Sequence, residues 1–540
     1  MNLRTDSSAD ITRSSALMAA GTIASRVTGF LRILVVAAAL GLGGKGNLLP
    51  DAYAVPNVMP NIIYELLLGG VLTSVLVPVL VKSARDDGDQ GTAFAQALLS
   101  MVVTALAAMT LVAMLLAPWL LRVLYSRATG RTFDLEVTFL RFFLPQIVFY
   151  GVGAVIGAVL NTRGRFGPPM FAPVLNNVVV IATFALFLAM PGPSRPSPAS
   201  ISAAQVSVLA IGTTLGVVAM TLALLPALRS TGFRWRLRFD WRHQGLRAAA
   251  RLAGWVFVYV AVNQLGYLVV VQLAGQANHR YNLYFNAFQL FQLPHAIVTV
   301  SVITALLPRM SRLAVDGRLD ALRSELSRGL RISLSLLVPA AVGYLVLARP
   351  IAVLLFAHGR SSRGDAVLLG QVLTGFAVGL ACFTAFQLQL RGFYALHDTR
   401  TPALINVAVN AAMVAVDVVL FKLLRGDARL VGLAVGYATS YAVGVAISTT
   451  LLRRRLGGID GSALVRLLVR VLLAALLAGL PAYAASRLAQ SIGGVGVAGS
   501  GLALALGGFV LGAGYLALAR RMRVRELTEL TAVVTTRLGR

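Results

Sequence analysis

From the first residues to position 519 the chain repeats one pattern. About twenty apolar residues are followed by a short interruption rich in glycine, proline and arginine, and then by another apolar run. A helix of about 20 residues, rising about 1.5 Å each, crosses about 30 Å of hydrocarbon. The pattern predicts fourteen such segments, over 15–41, 52–81, 92–117, 135–160, 171–190, 202–227, 247–275, 281–308, 329–348, 365–395, 402–424, 430–452, 464–487 and 495–519. The expected fold class is therefore an all-α integral membrane protein with about 14 transmembrane helices.

Composition agrees with the pattern. Of 540 residues, 57% are hydrophobic and 13% charged, where a soluble globule carries about 25% charged residues. The net charge of +28 changes the picture only through its placement, because the arginines gather in connectors between apolar runs. Arg163, Arg165, Arg229–Arg251, Arg309–Arg328, Arg453–Arg455 and Arg520–Arg525 all fall on one side. This is a positive-inside signal that puts both termini in the cytoplasm. No nucleic-acid recognition module accompanies the charge, so nucleic acid is not an expected partner. The single cysteine, Cys382, excludes a disulfide framework. The opening apolar segment is too long for a signal peptide and contains Arg26 and Arg32, so it reads as a retained first helix.

An internal repeat divides the chain. LTSVLVP (72–78) recurs as ITALLP (303–308), and AVLNTRGRFGPPMFAPVLNN (158–177) recurs as QLRGFYALHDTRTPALINVAVN (389–410). Pro78 matches Pro308, Pro169 matches Pro402, and Asn177 matches Asn410. An even number of helices within the offset implies parallel repeats of about six helices each. The organisation expected is an N-terminal lobe (1–227), a basic connector (228–246), a C-terminal lobe (247–453), two extra helices (464–519) and a basic tail (520–540). In the connector, Phe233, Trp235, Leu237, Phe239 and Trp241 alternate with charged residues. That suits either an anchor to anionic headgroups or an ordinary interfacial loop.

Residues for covalent chemistry do not assemble. GLGGKG (41–46) lacks the full phosphate-loop pattern, and His243, His279, His295, His358 and His397 lack metal-ligand spacing. Transport is left as the leading class, with no enzyme activity, metal or cofactor expected. Its candidate residues are the polar groups inside apolar runs. An arginine at the bilayer centre costs about 2.5–3.5 kcal/mol on insertion scales, so Arg26 and Arg32 on one helix imply a bundle interior or wet cavity. They diverge by about 120° around the helix, so both can border a wide cavity without pointing the same way. Guanidinium forks suit a diphosphate, whereas pairing with Asp51 and Glu65 would simply close the bundle. Pro56-Asn57 and Pro60-Asn61 on the second helix, and Pro294 on the eighth, invite a bend or break at equivalent places in the two halves. Asn286, Gln289 and Gln292 form an amide stripe that would bond sugar hydroxyls or phosphates, or else join helices. Asn263, Asn406, Asn410 and Asp417 are a candidate cation site, with helix-joining amides as the plainer reading.

SRVTGFLR (25–32), Asp51-Ala52, the Pro-Asn turn and LLGGVLTSVLVP (67–78) resemble the signature of the MurJ/MviN lipid II flippases. LNTRGRFGPPMFAPVLNN and LRGFYALHDTRTP continue the likeness, which spans roughly residues 12–520. The family belongs to the multidrug/oligosaccharidyl-lipid/polysaccharide exporter superfamily. The resemblance implies two six-helix lobes across a central cationic cavity, two further helices forming a lipid-tail groove, and alternating access. The implied cargo is the undecaprenyl-diphosphate-linked peptidoglycan precursor, carried from inner to outer leaflet of a bacterial cytoplasmic membrane. By motif position, Arg26, Arg32 and Asp51 match cavity residues of the family. This chain departs from the family at Tyr64 and Glu65, where relatives carry arginine, and at Phe288, Gln289 and Gln292, where they carry charged residues. Asn410 stands where some relatives have an acidic cation ligand. These departures leave open an exporter of another polyprenyl-linked glycan or amphipathic cation, or a membrane scaffold for cell-wall synthesis proteins. Membrane potential or an ion gradient would drive the transport.

Overall fold

The computed structural model describes residues 8–44, 46–66, 91–124, 128–239 and 244–527. Among them the regular structure is helical, with one isolated bridge between Gly44 and Asn47 and no strand. Two compact units divide the chain between Gln264 and Leu265. The first holds α1 (Ser8–Leu40), α2 (Leu49–Glu65), α3 (Thr92–Leu115), α4 (Ala117–Leu124), α5 (Gly130–Phe143), α6 (Gln146–Thr162), α7 (Gly167–Ala189), α8 (Ala203–Leu222) and α9 (Leu225–Ser230). Helix α10 (Gln244–Gln276) runs from the first unit into the second. The second unit continues with α11 (Tyr281–Val315), α12 (Leu319–Phe356), α13 (Arg363–Ala377), α14 (Leu380–Ala395), α15 (Arg400–Leu423), α16 (Ala428–Leu456), α17 (Gly461–Gly493) and α18 (Val497–Arg521).

Among the described residues 12 helices are long and apolar enough to span a membrane, or 13 when α13 and α14 count as one bent span. The chain is a multi-pass membrane protein. The second expected segment, 52–81, is helical through Glu65, and residues 67–90, with Pro78 and the LTSVLVP motif, lie outside the described residues. Two expectations about breaks need correction. Helix α2 runs unbroken through Pro56 and Pro60, and α11 runs unbroken through Pro294 and Pro308. Each proline removes only one backbone donor, and neighbouring turns carry the helix past it. The bend instead comes at Val378–Gly379, where α13 and α14 meet at 49° without a proline. There a Cβ on Gly379 would stand 2.5 Å from the Ala438 Cα, so only glycine lets α16 approach so closely.

The repeat reappears as matching local geometry in each unit. After α6, Gly164 takes φ 72°, and the Arg165 amide donates to the Leu160 carbonyl. After α14, His397 takes φ 58°, and the Asp398 amide donates to the Phe393 carbonyl. Both are left-handed helix ends that return a six-to-one bond, the geometry that favours glycine. His397→Gly should therefore raise thermal stability by about 1 kcal/mol, since glycine meets no Cβ penalty there. An unchanged melting temperature in detergent would refute this. Matched asparagines also find matched partners. A Cβ on Gly29 would sit 3.4 Å from the Asn177 Nδ2, and one on Gly266 would sit 2.2 Å from the Asn410 Oδ1.

The segment 231–239 lies against α3. The Gln96 amide donates to the Arg234 carbonyl at 2.7 Å, and the Trp235 indole and Arg238 backbone amide both donate to the Ser100 hydroxyl, at 3.3 and 3.1 Å. Phe233 is buried under the Arg163 guanidinium, whereas Trp235, Leu237 and Phe239 remain exposed beside Arg234, Arg236 and Arg238. Of the final helices, α17 and α18 pack on each other and on α12, within the second unit. The Tyr515 hydroxyl donates to the Ser335 carbonyl at 2.6 Å, and Arg331 pairs with Glu526 at 3.0 Å.

Candidate functional site

In the first unit α1 lies along α7 through positions 21, 25, 28 and 29. A Cβ on Gly21 would meet the Met170 Cβ at 2.9 Å, and the Asn177 amide donates to the Ser25 carbonyl and the Thr28 hydroxyl at 3.2 and 3.1 Å. Arg32 lies seven residues beyond Ser25, about 20° short of two full turns, and so continues this inward face. It is half-buried and close enough to Tyr53 and Tyr150 for its charge to act on both. Arg26 points elsewhere and is exposed. Within this unit the two arginines therefore do not converge. Among the described residues neither is in an ion pair, and neither is Glu65.

The start of α2 is rigidly held. Asp51 is buried in its first turn, and the Tyr53 ring meets Phe139, Phe143 and Phe184 edge-on at 5.6, 5.5 and 5.4 Å. The Tyr53 hydroxyl shares a 2.8 Å hydrogen bond with Thr213. One turn on, Asn57 is half-buried with an Oδ1 that has no hydrogen-bond partner. Near the end of the described helix, Tyr64 lies 4.4 Å from the Tyr150 ring, and Glu65 is exposed. These two tyrosines line a cavity of about 170 Å³ between α2, α6, α7 and the end of α8. The sequence did carry a signal for it: positions 150, 153, 154, 157, 158 and 161 share one face of α6.

In the second unit the amide stripe of α11 turns inward on itself. The Asn286 amide donates to the Asn282 carbonyl at 2.6 Å and its Oδ1 at 3.3 Å, while Gln289 and Gln292 stay half-buried. Phe288 faces an aromatic cluster, with Phe376 at 5.6 Å and Tyr437 at 5.3 Å. Phe291, Phe383 and Tyr441 extend it, and His295 closes it with its ring 4.4 Å from Phe383 and a 3.3 Å hydrogen bond to Thr384. A charge at position 288 would have to enter this aromatic cluster, so the apolar Phe288 fits its surroundings.

Of the candidate cation residues in the second unit, Asn406 and Asn410 stand together and Asp417 stands apart. The Asn410 amide donates to the Asn406 carbonyl and Oδ1, at 2.9 and 3.2 Å, so this pair caps its own turn. Asp417 is two turns further along α15, about 10 Å away at 1.5 Å per residue. It is fully buried, and neither of its carboxyl oxygens has a hydrogen-bond partner. An ionised carboxylate there would carry a desolvation cost of several kcal/mol. Asn263 is half-buried on α10. No group of three or more His, Cys, Asp or Glu capable of holding a metal occurs among the described residues. Outside the membrane, Asp398 resists a desolvating setting: hydrogen bonds from Thr401 and Arg455 outweigh burial and hold its carboxyl below the usual range.

Comparison with known proteins places these features in a family. The family model described as lipid II flippase MurJ matches residues 36–504. A lipid II flippase MurJ of Burkholderia cenocepacia is 30% identical over 397 residues, covering 72% of this chain and 74% of that protein. A probable lipid II flippase MurJ of Haemophilus influenzae is 29% identical over 432 residues, covering 77% and 81%. Among solved structures, a lipid II flippase MurJ in an inward closed conformation shares the fold. Its TM-score is 0.75 at 17% identity, over 94% of this chain and 99% of that one. An inward-facing MATE multidrug transporter is similar at TM-score 0.67 and 15% identity, over 80% and 95%. The run of apolar helices, Arg26 and Arg32 in no ion pair among the described residues, and a match over most of the length agree, and the chain belongs to the MurJ family.

Proposed function

We propose that this protein is a flippase, and not an enzyme, that moves the undecaprenyl-diphosphate-linked peptidoglycan precursor (lipid II) from the inner to the outer leaflet by alternating access. It does so in the cytoplasmic membrane, with both termini in the cytoplasm. Family membership supports the cargo. The single observation that carries the reading is Arg32, a half-buried cation on an apolar helix with no ion pair among the described residues. Such a group is costly in a membrane unless an anion visits it, and its fork matches phosphate oxygens. Arg26 and Asp51, with Asn57 and Glu65 on α2, complete the polar set of the first unit; within the second unit, Gln289 and Gln292 are the half-buried amides of α11 left to meet a ligand.

No cofactor is required. Carrying about two negative charges outward across an inside-negative potential gains up to about 2.3 kcal/mol per charge per 100 mV. Membrane potential, or an ion gradient, thus supplies the direction. The partners are membrane lipids, the lipid-linked precursor and the cell-wall synthesis proteins that consume it. Depleting the protein in cells should make lipid II accumulate on the inner leaflet. Accumulation of a different polyprenyl-linked glycan, or of none, would overturn the assignment.

A further inference from the structure

The cavity of the first unit has a lining that selects its occupant. Among the described residues its walls include no Asp, Glu, Lys, Arg or His, so neither a cation nor a phosphate would find a counter-charge on them. Nor are the walls purely apolar. The Asn161 Oδ1 is buried without a hydrogen-bond partner, and the Thr221 hydroxyl, which donates to the Phe149 carbonyl at 3.0 Å, keeps its lone pairs free to accept. Filling the space with an isoprenoid chain would leave the Asn161 oxygen dehydrated and unbonded, at a cost of about 1–3 kcal/mol. The fitting ligand is neutral, brings hydrogen-bond donors, and has an apolar face for the Tyr64 and Tyr150 rings. A volume of about 170 Å³ is slightly more than the roughly 150 Å³ of an engineered apolar cavity that takes up one benzene ring. That is room for one substituted six-membered ring and too little for two.

We propose that this cavity is a saccharide subsite that receives one pyranose ring of the lipid-linked headgroup, with Asn161 accepting from a hydroxyl or acetamido N–H. The proposal rests on the flippase reading for its cargo. Its position is consistent with that cargo: Arg32 acts on Tyr150, which lines the cavity. Glycines and prolines shape the wall, and a Cβ on Gly157 would still clear Pro169 at 3.8 Å.

The test uses the full-length protein in nanodiscs, with N-acetylglucosamine and farnesol as separate probes in saturation-transfer NMR, and fluorescent lipid II flipping in proteoliposomes. Wild-type protein should transfer saturation to N-acetylglucosamine. Ala154→Leu, which fills the cavity, should abolish the transfer. Asn161→Leu, which removes the acceptor, should weaken binding about 10-fold, the effect of losing about 1.4 kcal/mol. Both variants should slow flipping at an unchanged melting temperature. Should Ala154→Leu fail to fold, Asn161→Leu and Gly157→Ala carry the same comparison. No transfer from wild type, transfer unaltered in every variant, or transfer to farnesol that Ala154→Leu abolishes would overturn the subsite. Wild-type protein that binds the sugar yet leaves lipid II in place would overturn the flippase reading instead, so the two failures are distinguishable.

Discussion

Gly436→Ala should destabilise the second unit by about 1–3 kcal/mol, the cost of overpacking a filled core, and Asp417→Ala in the same chain should recover most of that loss. The new Cβ would stand 1.9 Å from the Asp417 Oδ1, 2.9 Å from its Cγ and 3.4 Å from its backbone nitrogen. Asp417 has no exposed surface into which to retreat, and the helix backbone behind the carboxyl fixes how far it can yield. Removing the carboxyl alone takes away an acid whose two oxygens are unbonded, so Asp417→Ala by itself should cost little despite the space it leaves. Residues in direct contact give double-mutant couplings of about 0.5–3 kcal/mol. Thermal melts of the four proteins in detergent measure that coupling. A double variant no more stable than Gly436→Ala would show that the glycine is needed for some reason other than this carboxyl. Asp417→Asn tests the charge separately, because it keeps the shape and removes the ionisable group, and its melting temperature should not fall.

The same pair explains what the sequence could and could not reveal. Apolar length determines where helices lie, because every buried backbone group must be satisfied within its own segment; hence most spans were legible, while their polar extensions were not, α12 running over Leu319–Phe356 where apolar length marked only 329–348. The repeat was legible because Pro169 with Pro402, and Asn177 with Asn410, survive as identities. Packing partners were not legible. Gly436 is an ordinary glycine in an apolar run until α15 lays Asp417 against it, and Gly379 predicts no bend until α16 comes within reach. Prolines misled in the other direction: α2 and α11 absorb theirs without breaking. Polar residues spaced along one helix likewise suggested shared sites at Asn286–Gln292 and Asn406–Asp417. Yet Asn286 and Asn410 are satisfied by the turn before them, a local choice that spacing does not disclose. The Tyr64–Tyr150 contact joins two helices far apart in sequence, and only the fold brings those rings to one cavity.

Arg32→Ala should cut lipid II flipping by about 10- to 100-fold, equivalent to the loss of a charge-assisted hydrogen-bonded contact of about 1.5–3 kcal/mol. Its effect on stability should run the opposite way. An arginine within an apolar helix costs about 2.5–3.5 kcal/mol on insertion. Because Arg32 is in no ion pair among the described residues, nothing is orphaned when it goes. The melting temperature should therefore hold or rise while transport falls, a combination that a structural role would not give. Arg32→Lys retains the charge without the planar fork and should fall between wild type and alanine. Arg26→Ala should lose less than Arg32→Ala, because Arg26 is exposed and lies on another face of α1, away from Tyr53 and Tyr150. The ranking follows from helix geometry alone, since positions 25 and 32 share the face that meets α7 and position 26 does not. Flipping in proteoliposomes at matched protein density, alongside melting curves, reads both quantities. Equal losses at the two arginines, or a fall in stability with Arg32→Ala, would remove Arg32 from the substrate path.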